Sequence, residues 1–264
     1  MFLRRKIIYD EYGQTCNRFW SYVDSIGWAI VNNKKVVILF PESIMIYYDN
    51  FRNSKYISLP FWGVGDFTLR IIKKILVHNP LIKRFYKSSI AKSLGYISGW
   101  NERDSKIYYP LVKEQIIDVF RPNDNIVLPL QNKFKEYHDK GYFIVGLHIR
   151  RGDYKTYKDG IFYYDDATYL NYMQQVEELL KDKNVVFYIS TNEQINPCLS
   201  IGHHVLEKPL NSASADLYAL SLCDLIMGPP STFSRWASFI NDVPLCVLQN
   251  RETKISMSNF KIVV

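Results

Sequence analysis

The chain has 264 residues, of which 47% are hydrophobic and 22% are charged, and its formal net charge is +7. This composition is typical of a globular protein that is long enough for one large domain or two modest lobes. No apolar run approaches the roughly 18 residues of a membrane-spanning helix, and the N-terminus becomes charged too early for a signal peptide. The four cysteines lie far apart, which argues against structural zinc and a disulfide framework and favours a cytoplasmic location.

The first part of the chain alternates between strand and helix patterns. Residues 6–10 and 34–40 are predicted strands, and between them an apolar residue recurs every three or four positions from Phe19 to Ile30. A strand–helix–strand unit of this length predicts a parallel sheet. Gly13 lies in the first strand-to-helix turn, where a glycine either lets a ligand approach the backbone closely or only makes the turn.

The excess of positive charge is concentrated in residues 67–101. This segment contains seven Lys or Arg, as many as the net charge of the whole chain, and no acid. The basic residues are Arg70, Lys73, Lys74, Lys83, Arg84, Lys87 and Lys92. Because apolar residues such as Ile71 and Ile75 recur there at helical spacing, the segment is a candidate for peripheral contact with the inner face of an anionic membrane. An ordinary solvated helix pair has the same pattern, and nucleic acid is not an expected partner.

The segment between residues 41 and 135 carries less information. Prolines divide it, and helices are predicted between them. These prolines are Pro41, Pro60, Pro80, Pro110, Pro122 and Pro129. A polar stretch at 131–140 precedes the next buried strand, and it marks the predicted boundary between two lobes, residues 1–135 and 136–264.

The stretch from Gly146 to Tyr154 follows a short apolar run and is predicted to be a buried strand that opens into a loop. Alternate residues of a strand share a face, so His148 and Arg150 point one way and Arg151 points the other. A charged group at the end of a core strand needs a partner, and a guanidinium suits phosphate. Because ligands of open α/β sheets bind at the carboxyl ends of the strands, an anion site for a phosphorylated ligand is predicted. A salt bridge to a nearby carboxylate is the simpler alternative.

Two further strand ends carry polar residues. Ser190–Asn192 follow the buried run at 185–189, where they either contribute to a site or form a turn. Ser231 and Thr232 open a helix directly after the strand at 224–228. The free N–H groups of a helix N-terminus bind phosphate readily, although simple capping of the helix by Ser231 explains the same residues.

Aspartates precede or open two of the predicted helices. Asp165 and Asp166 resemble a metal-binding pair, but acids at the N-cap and in the first turn are also favoured by the helix dipole. No second carboxylate cluster lies at a suitable strand end, so the sequence predicts no metal site. Asp216, in the first turn of the helix before residue 224, has the same simple explanation.

Several of these motifs resemble signatures of one enzyme family. The stretch His148–Tyr154, which reads HIRRGDY, resembles the first signature of the α1,2-fucosyltransferases of glycosyltransferase family 11 and their α1,6- and protein O-fucosyltransferase relatives. Ser190–Asn192 and Ser231–Trp236 resemble the second and third signatures, and Gly13–Arg18 resembles the N-terminal turn. The signatures occur in the family's order and spacing, which is far more specific than any one of them alone.

This sequence departs from the family pattern at three places. Arg18 replaces the usual glutamine, Asn192 replaces an aspartate, and Gly228–Pro230 replace the residues that usually precede the serine. Because of these departures, a catalytically inactive module that binds guanine nucleotides or a membrane surface remains an alternative interpretation. A transferase that uses another GDP-sugar is the alternative within the enzymes.

The resemblance implies an α/β fold with two Rossmann-like lobes of the GT-B-like architecture. The N-terminal lobe is expected to lie on the acceptor side, and the C-terminal lobe is expected to bind the GDP-sugar. The implied reaction moves L-fucose from GDP-β-L-fucose to a hydroxyl of a glycan, with inversion, with an α1,2 linkage and without a metal.

The resemblance also implies the residues that contact the donor. They are Gly13, Asn17, His148, Arg150, Arg151, Ser190, Asn192, Asp216, Ser231, Thr232 and Phe233. Arg150 is the expected catalytic cation at the β-phosphate, and Arg151 and Asp153 are expected to pair and shape the loop. Asp216 is expected to accept hydrogen bonds from N1–H and N2–H of guanine, and Asp153 and Asp159 are the candidate catalytic bases.

Overall fold

The structure is a computed structural model that describes residues 5–11, 13–194 and 196–263. The first four residues, on which the signal-peptide prediction partly depends, lie outside these ranges. The chain divides into two compact units between Asn123 and Asp124, and each unit contains a sheet of largely parallel strands with helices. Within the described ranges, no helix combines the length and hydrophobicity needed to cross a lipid bilayer.

The N-terminal unit is built on a short parallel sheet. Its strands are β1 (Lys6–Ile8), β2 (Val36–Ile38), β3 (Ile57–Ser58) and β4 (Tyr96–Ile97), and they lie in the order β3-β2-β1-β4. Its helices are α1 (Thr15–Val31), α2 (Asp49–Asn53), α3 (Asp66–Leu76), α4 (Pro80–Tyr86), α5 (Ser89–Ser93), α6 (Gly99–Glu102) and α7 (Lys113–Val119). Helix α1 joins β1 to β2 and buries Phe19, Val23 and Ile26, so the predicted strand–helix–strand unit is confirmed.

The C-terminal unit contains the longer strands. They are β5 (Tyr142–Ile149), β6 (Asn184–Thr191), β7 (Leu225–Gly228), β8 (Leu245–Val247) and β9 (Phe260–Lys261), in the order β6-β5-β7-β8-β9. Only β9 runs antiparallel to its neighbour among these described strands. The helices are α8 (Asp124–Asp139), α9 (Asp166–Leu179), α10 (Ala213–Leu220) and α11 (Thr232–Asn241). Helix α9 packs Tyr169, Met173 and Val176 against the sheet core, as its apolar spacing predicts.

Helix α8 differs from the prediction in two ways. The predicted boundary at 135/136 falls inside it, and the division between the units comes before its first residue instead. Pro129, expected to separate two helices, lies within α8. The helix continues through the proline because Ile126, Val127 and Leu130 are buried, and this packing offsets the cost of the missing N–H group.

Candidate active site

A cavity of about 700 Å³ lies in the C-terminal unit, beside the carboxyl ends of β5 and β6 and the first turns of α10 and α11. Among the residues that line it are six that the sequence singles out: His148, Arg150, Ser190, Asn192, Asp216 and Phe233. They come from separate motifs along the chain, and the topology of the sheet brings them together. Strands β6, β5 and β7 are neighbours and run parallel, so their carboxyl ends meet at one edge.

His148 is buried at this edge of the sheet, where it lines the cavity. The residue is 4% exposed, and its ring lies 5.2 Å from the ring of Phe233, centroid to centroid. Burial, together with the charge of Arg150, lowers the pKa of His148 to about 3, so the imidazole is neutral near pH 7. A Cβ on Gly228 would lie 2.8 Å from the carbonyl oxygen of His148, so the neighbouring strand can approach this closely only as glycine.

Arg150 extends from the end of β5 into the cavity. Its guanidinium lies 3.0 Å from the carboxylate of Asp153 and 5.7 Å from the ring of Tyr154. The hydroxyl of Tyr154 donates to the carbonyl of Pro230 at 2.6 Å, which ties this loop to the start of α11. Asp153 is largely exposed, so its pair with Arg150 is a weak surface contact that an incoming phosphate can replace.

Arg151 points away from the cavity, as the strand alternation predicts. Its guanidinium pairs with Asp166 and donates to the carbonyl of Tyr164 at 3.2 Å. The predicted pair between Arg151 and Asp153 is therefore wrong, because Arg150 takes Asp153 and Arg151 anchors the loop to the start of α9. Arg151 is not among the lining residues, and its contact with the donor stays a prediction.

The end of β6 holds the loop that follows β5. The side-chain oxygen of Asn192 accepts a hydrogen bond from the backbone N–H of Arg151 at 3.1 Å, and Glu193 accepts from the N–H of Gly152 at 3.1 Å. Gly152 has a φ of +58°, a conformation that glycine adopts at low cost. Asn192 makes this contact through a neutral amide, so the loop geometry does not depend on an aspartate at that position.

The carboxylate of Asp216 is a hydrogen-bonding hub in the cavity wall. One oxygen accepts from the hydroxyl of Tyr188 at 2.7 Å, and the other accepts from the hydroxyl of Ser190 at 3.2 Å. The ammonium of Lys208 lies within 2.9 Å of both oxygens. These contacts occupy the four lone-pair positions of the carboxylate, so a ligand that donates two hydrogen bonds to Asp216 must displace Lys208.

The start of α11 is capped by its own side chain. The hydroxyl of Ser231 accepts from the backbone N–H of Phe233 at 3.2 Å, so the simpler of the two sequence explanations is confirmed. Ser231 and Thr232 are half-buried but are not among the lining residues, whereas Phe233 is. Their contacts with the donor stay predictions.

The candidate bases are not in the cavity wall. Asp153 pairs with Arg150, and Asp159 lies on an exposed turn where it and Lys158 have left-handed φ values of +58° and +48°. Neither carboxylate is among the residues that line the cavity. The structure therefore adds no support for either as the catalytic base.

The first motif lies in the N-terminal unit. Gly13 has a φ of +81°, and a Cβ there would lie 2.7 Å from the Cβ of Asn17, so both the turn and its packing require glycine. Arg18, one of the departures from the family pattern, donates to the carbonyls of Glu11, Gly13 and Phe40 at 2.5, 3.3 and 3.1 Å. Arg18 thus fixes the backbone of the turn. The roles of Gly13 and Asn17 toward the donor stay predictions.

A second cavity, of about 560 Å³, lies within the N-terminal unit and begins where β2 ends. Aromatic side chains, including Phe61 and Trp62, line it together with Glu42 and Arg52. One carboxylate oxygen of Glu42 and Nε of Arg52 are buried without a hydrogen-bond partner among the described residues. No sequence motif pointed to this cavity, because its wall comes from short elements whose pattern is irregular.

Lys208 and Glu193 are the functional candidates that the sequence reasoning missed. Glu193 directly follows the motif Ser190–Asn192, so its position at the end of the strand is a sequence signal that indicates a site residue. Lys208 lies in a loop eight residues before Asp216, and nothing in its local sequence marks it.

The aspartate pair has the structural role that the sequence favours. Asp165 caps α9 by accepting from the N–H of Thr168 at 2.9 Å, and Asp166 pairs with Arg151 and accepts from Asn196 at 2.7 Å. In the part of the chain that the structure describes, no group of three or more His, Cys, Asp or Glu is arranged to hold a metal ion. Independence from metal stays a prediction.

Solved structures with the same fold include several fucosyltransferases. A point mutant of FUT1 from Arabidopsis thaliana in complex with GDP matches with a TM-score of 0.56 at 12% identity, over 97% of this chain and 73% of that chain. NodZ α-1,6-fucosyltransferase soaked with GDP-fucose matches with a TM-score of 0.56 at 17% identity, over 97% and 96%. Fucosyltransferase NodZ from Bradyrhizobium matches with a TM-score of 0.54 at 15% identity, over 94% and 96%. The predicted GT-B-like α/β fold is thereby confirmed.

The sequence comparisons place the chain in a family. No curated protein matches it. The model of glycosyl transferase family 11 matches residues 66–256, which include the motifs at the ends of β5, β6 and β7. The chain therefore belongs to glycosyl transferase family 11, the fucosyltransferase family that its motifs resemble.

Proposed function

We propose that this enzyme transfers L-fucose from GDP-β-L-fucose to a hydroxyl of a glycan acceptor and forms an α1,2 linkage with inversion. The observation that carries the proposal is the single cavity that gathers Arg150, Asp216 and Phe233 from three separate motifs. Arg150 supplies a cation for a diphosphate, Asp216 supplies a carboxylate for a nucleobase with adjacent N–H donors, and Phe233 supplies an aromatic ring. The solved structures of FUT1 with GDP and of NodZ soaked with GDP-fucose support the same donor.

Arg150 stabilises the leaving group in the proposed reaction. The acceptor oxygen bonds to C1 of fucose as the bond from C1 to the β-phosphate oxygen breaks, and the bonding electrons leave with GDP. The negative charge on the departing diphosphate therefore grows in the transition state. A preorganised guanidinium at that position lowers the barrier by more than it stabilises the bound donor. The acceptor proton passes to a base that is not assigned, and attack opposite to GDP inverts the anomeric centre.

Lys208 adds a second cation to the cavity wall. If guanine takes its place beside Asp216, the freed ammonium remains close enough to the nucleotide to offset charge. Two protein cations can then do the work that a divalent metal does in other glycosyltransferases, which is why we expect turnover without metal.

The cavity of the N-terminal unit is the proposed acceptor-binding site. Trp62 and Phe61 offer apolar faces on which a sugar ring can stack, while Glu42 and Arg52 offer an acceptor and a donor for its hydroxyls. A glycan hydroxyl would satisfy the buried oxygen of Glu42 that has no partner among the described residues.

Calorimetric titration with GDP, UDP and GDP-fucose, together with an assay of GDP release from GDP-fucose in the presence of a glycan, tests the proposal on the wild type and on Arg150→Ala, Arg150→Lys and the matched control Arg251→Lys. We expect selective binding of guanine nucleotides and a fall in turnover of at least about a hundredfold in both Arg150 variants, because lysine cannot make a bidentate contact. Arg251 lies in the same unit but not in the cavity wall, so its variant should keep full activity. Near-normal turnover in Arg150→Lys would contradict the assigned role.

The alternatives give different results in the same assay. A transferase for another GDP-sugar binds GDP but releases it faster from a different donor, such as GDP-mannose, than from GDP-fucose. An inactive module binds GDP and turns over neither sugar nucleotide with any glycan.

A further inference from the structure

Helices α3, α4 and α5 of the N-terminal unit expose apolar side chains to solvent. They are Phe67 (76% exposed), Ile71 (46%), Ile75 (52%), Leu81 (76%), Ile90 (67%) and Leu94 (44%), the last at the C-cap of α5. Helix α3 contacts α4, and α4 contacts α5, so the exposed groups belong to one continuous part of the molecule. We call these residues and the exposed cations beside them the basic-apolar surface.

Helix α3 is apolar on two faces, of which the fold uses one. Leu69, Ile72 and Leu76 pack against the cluster around Leu39 and Phe40. Phe67, Ile71 and Ile75 recur every four residues on another face of the helix, which no described element covers. An ordinary solvated helix is polar on its outer face, so the alternative of a plain solvated helix pair does not account for this pattern.

The cations of the segment flank the exposed apolar groups. Arg70 follows Phe67 by three positions, Lys74 follows Ile71 by three, and Arg84 follows Leu81 by three. Residues three apart on a helix are neighbours, so each pair presents an apolar group next to a cation. Lys73 pairs with Glu11 at 2.5 Å, but the other six cations of the segment are exposed and have no ion-pair partner among the described residues.

We propose that the basic-apolar surface binds an anionic lipid bilayer. Its apolar groups are long enough to enter the boundary between head groups and acyl chains, and the unpaired cations match the negative charge of that layer. The charge argument selects lipid over an apolar protein partner, since six unpaired cations remain costly to bury against an uncharged surface. This inference goes beyond the proposed activity and does not depend on it.

Flotation with lipid vesicles tests this surface without any substrate. The wild type is mixed with vesicles of phosphatidylcholine alone and with vesicles that contain equal parts of phosphatidylcholine and phosphatidylglycerol. We expect binding to the anionic vesicles that weakens as salt is raised, and little binding to the zwitterionic ones. Equal binding to both vesicles, or none to either, would overturn the proposal.

Two double variants separate the apolar from the ionic contribution. Phe67→Ser with Ile71→Ser removes apolar contacts and should abolish flotation, whereas Arg70→Gln with Lys74→Gln should weaken it roughly 25-fold, about fivefold per cation. The matched controls are Leu128→Ser with Ile201→Ser and Lys181→Gln with Lys183→Gln, which change exposed residues of the other unit.

The controls should float like the wild type, and the circular dichroism spectrum and thermal unfolding should be unchanged in every variant, which shows that both units still fold. Equal loss in control and test variants would overturn the proposal. A wild-type dimer in solution that the Phe67 and Ile71 changes abolish, without vesicle binding, would assign the surface to contact between copies of the chain instead.

Discussion

The carboxylate of Asp216 accepts hydrogen bonds from three side chains, Tyr188, Ser190 and Lys208, and has no lone-pair position left for a ligand. If guanine binds there, its N1–H and N2–H groups take the positions of Lys208. Asp216→Asn then presents an amide whose own donors oppose those of guanine. We expect GDP binding to weaken by about 1.5 to 3 kcal/mol and the preference for GDP over ADP to disappear, as measured by calorimetry.

Lys208→Met is the companion to that change. It removes the cation that competes with guanine and leaves the carboxylate of Asp216 ready to accept from guanine, so the preference for GDP over ADP should persist. Because one of the two cations that offset the phosphate charge is lost, the affinity for both nucleotides should fall. Thermal unfolding of both variants checks that the buried hub still folds. If Asp216→Asn keeps its preference for GDP over ADP, Asp216 does not read the base.

The direction of each arginine was predictable from the sequence, but its partner was not. Alternation along a strand is a local rule, so it correctly placed His148 and Arg150 on the cavity side and Arg151 on the other. The partner of Arg151 is Asp166, which reaches it only after the intervening loop has folded back. The local sequence instead offered Asp153, which is nearer along the chain and pairs with Arg150.

At the scale of elements, the close approach of β7 to β5 determines the position of His148. A Cβ on Gly228 would lie 2.8 Å from the carbonyl oxygen of His148 and 2.9 Å from its Cβ, and neither atom can move without the strand. We expect Gly228→Ala to lower the free energy of unfolding by about 1 to 3 kcal/mol and to weaken GDP binding, because His148 shifts within the cavity wall. Urea unfolding and calorimetry measure the two effects.

Gly146→Ala is the matched control on β5. There the added Cβ would meet the ends of two flexible side chains, Leu220 at 2.8 Å and Cys223 at 2.9 Å, which can adjust more cheaply than backbone. We expect it to cost less stability and to leave GDP binding intact. The role given to Gly228 fails if both variants lose GDP binding equally.

The elements that carry the site could be predicted from the sequence because they are buried strands followed by polar turns. Strands β5, β6 and β7 are continuous apolar runs, and each recognised motif begins where a run ends. The antiparallel strand β9 was not predicted, because its two residues, Phe260 and Lys261, form too short a pattern. The prediction that Pro129 separates two helices was wrong, because burial of one face of α8 outweighs the helix-breaking preference of proline.

The division of the whole molecule was harder to predict than its fold class. Parallel sheets follow from the alternation of strands and helices, and both units have them. The predicted boundary lies in a polar stretch, but that stretch forms the largely exposed C-terminal half of α8, a helix that packs with the C-terminal unit. Polarity alone does not distinguish a linker from the solvent face of a helix. The N-terminal cavity could not be predicted from the sequence either, since residues such as Glu42 and Trp62 meet only through tertiary packing.

The residues that line the proposed donor cavity all belong to the C-terminal unit, so nucleotide binding should change hydrogen exchange in that unit. Hydrogen exchange followed by mass spectrometry, with and without GDP, should show slower exchange at 150–153, 190–194 and 212–216. The backbone N–H groups of Arg151 and Gly152 are already held by Asn192 and Glu193, so a ligand that braces this loop reduces its local opening. Because the proposed site neutralises phosphate with Arg150 alone or with Lys208, the same protection should persist in EDTA. Protection that vanishes on chelation and returns with a divalent ion would contradict metal-independent binding, whereas protection confined to other segments would place the nucleotide elsewhere.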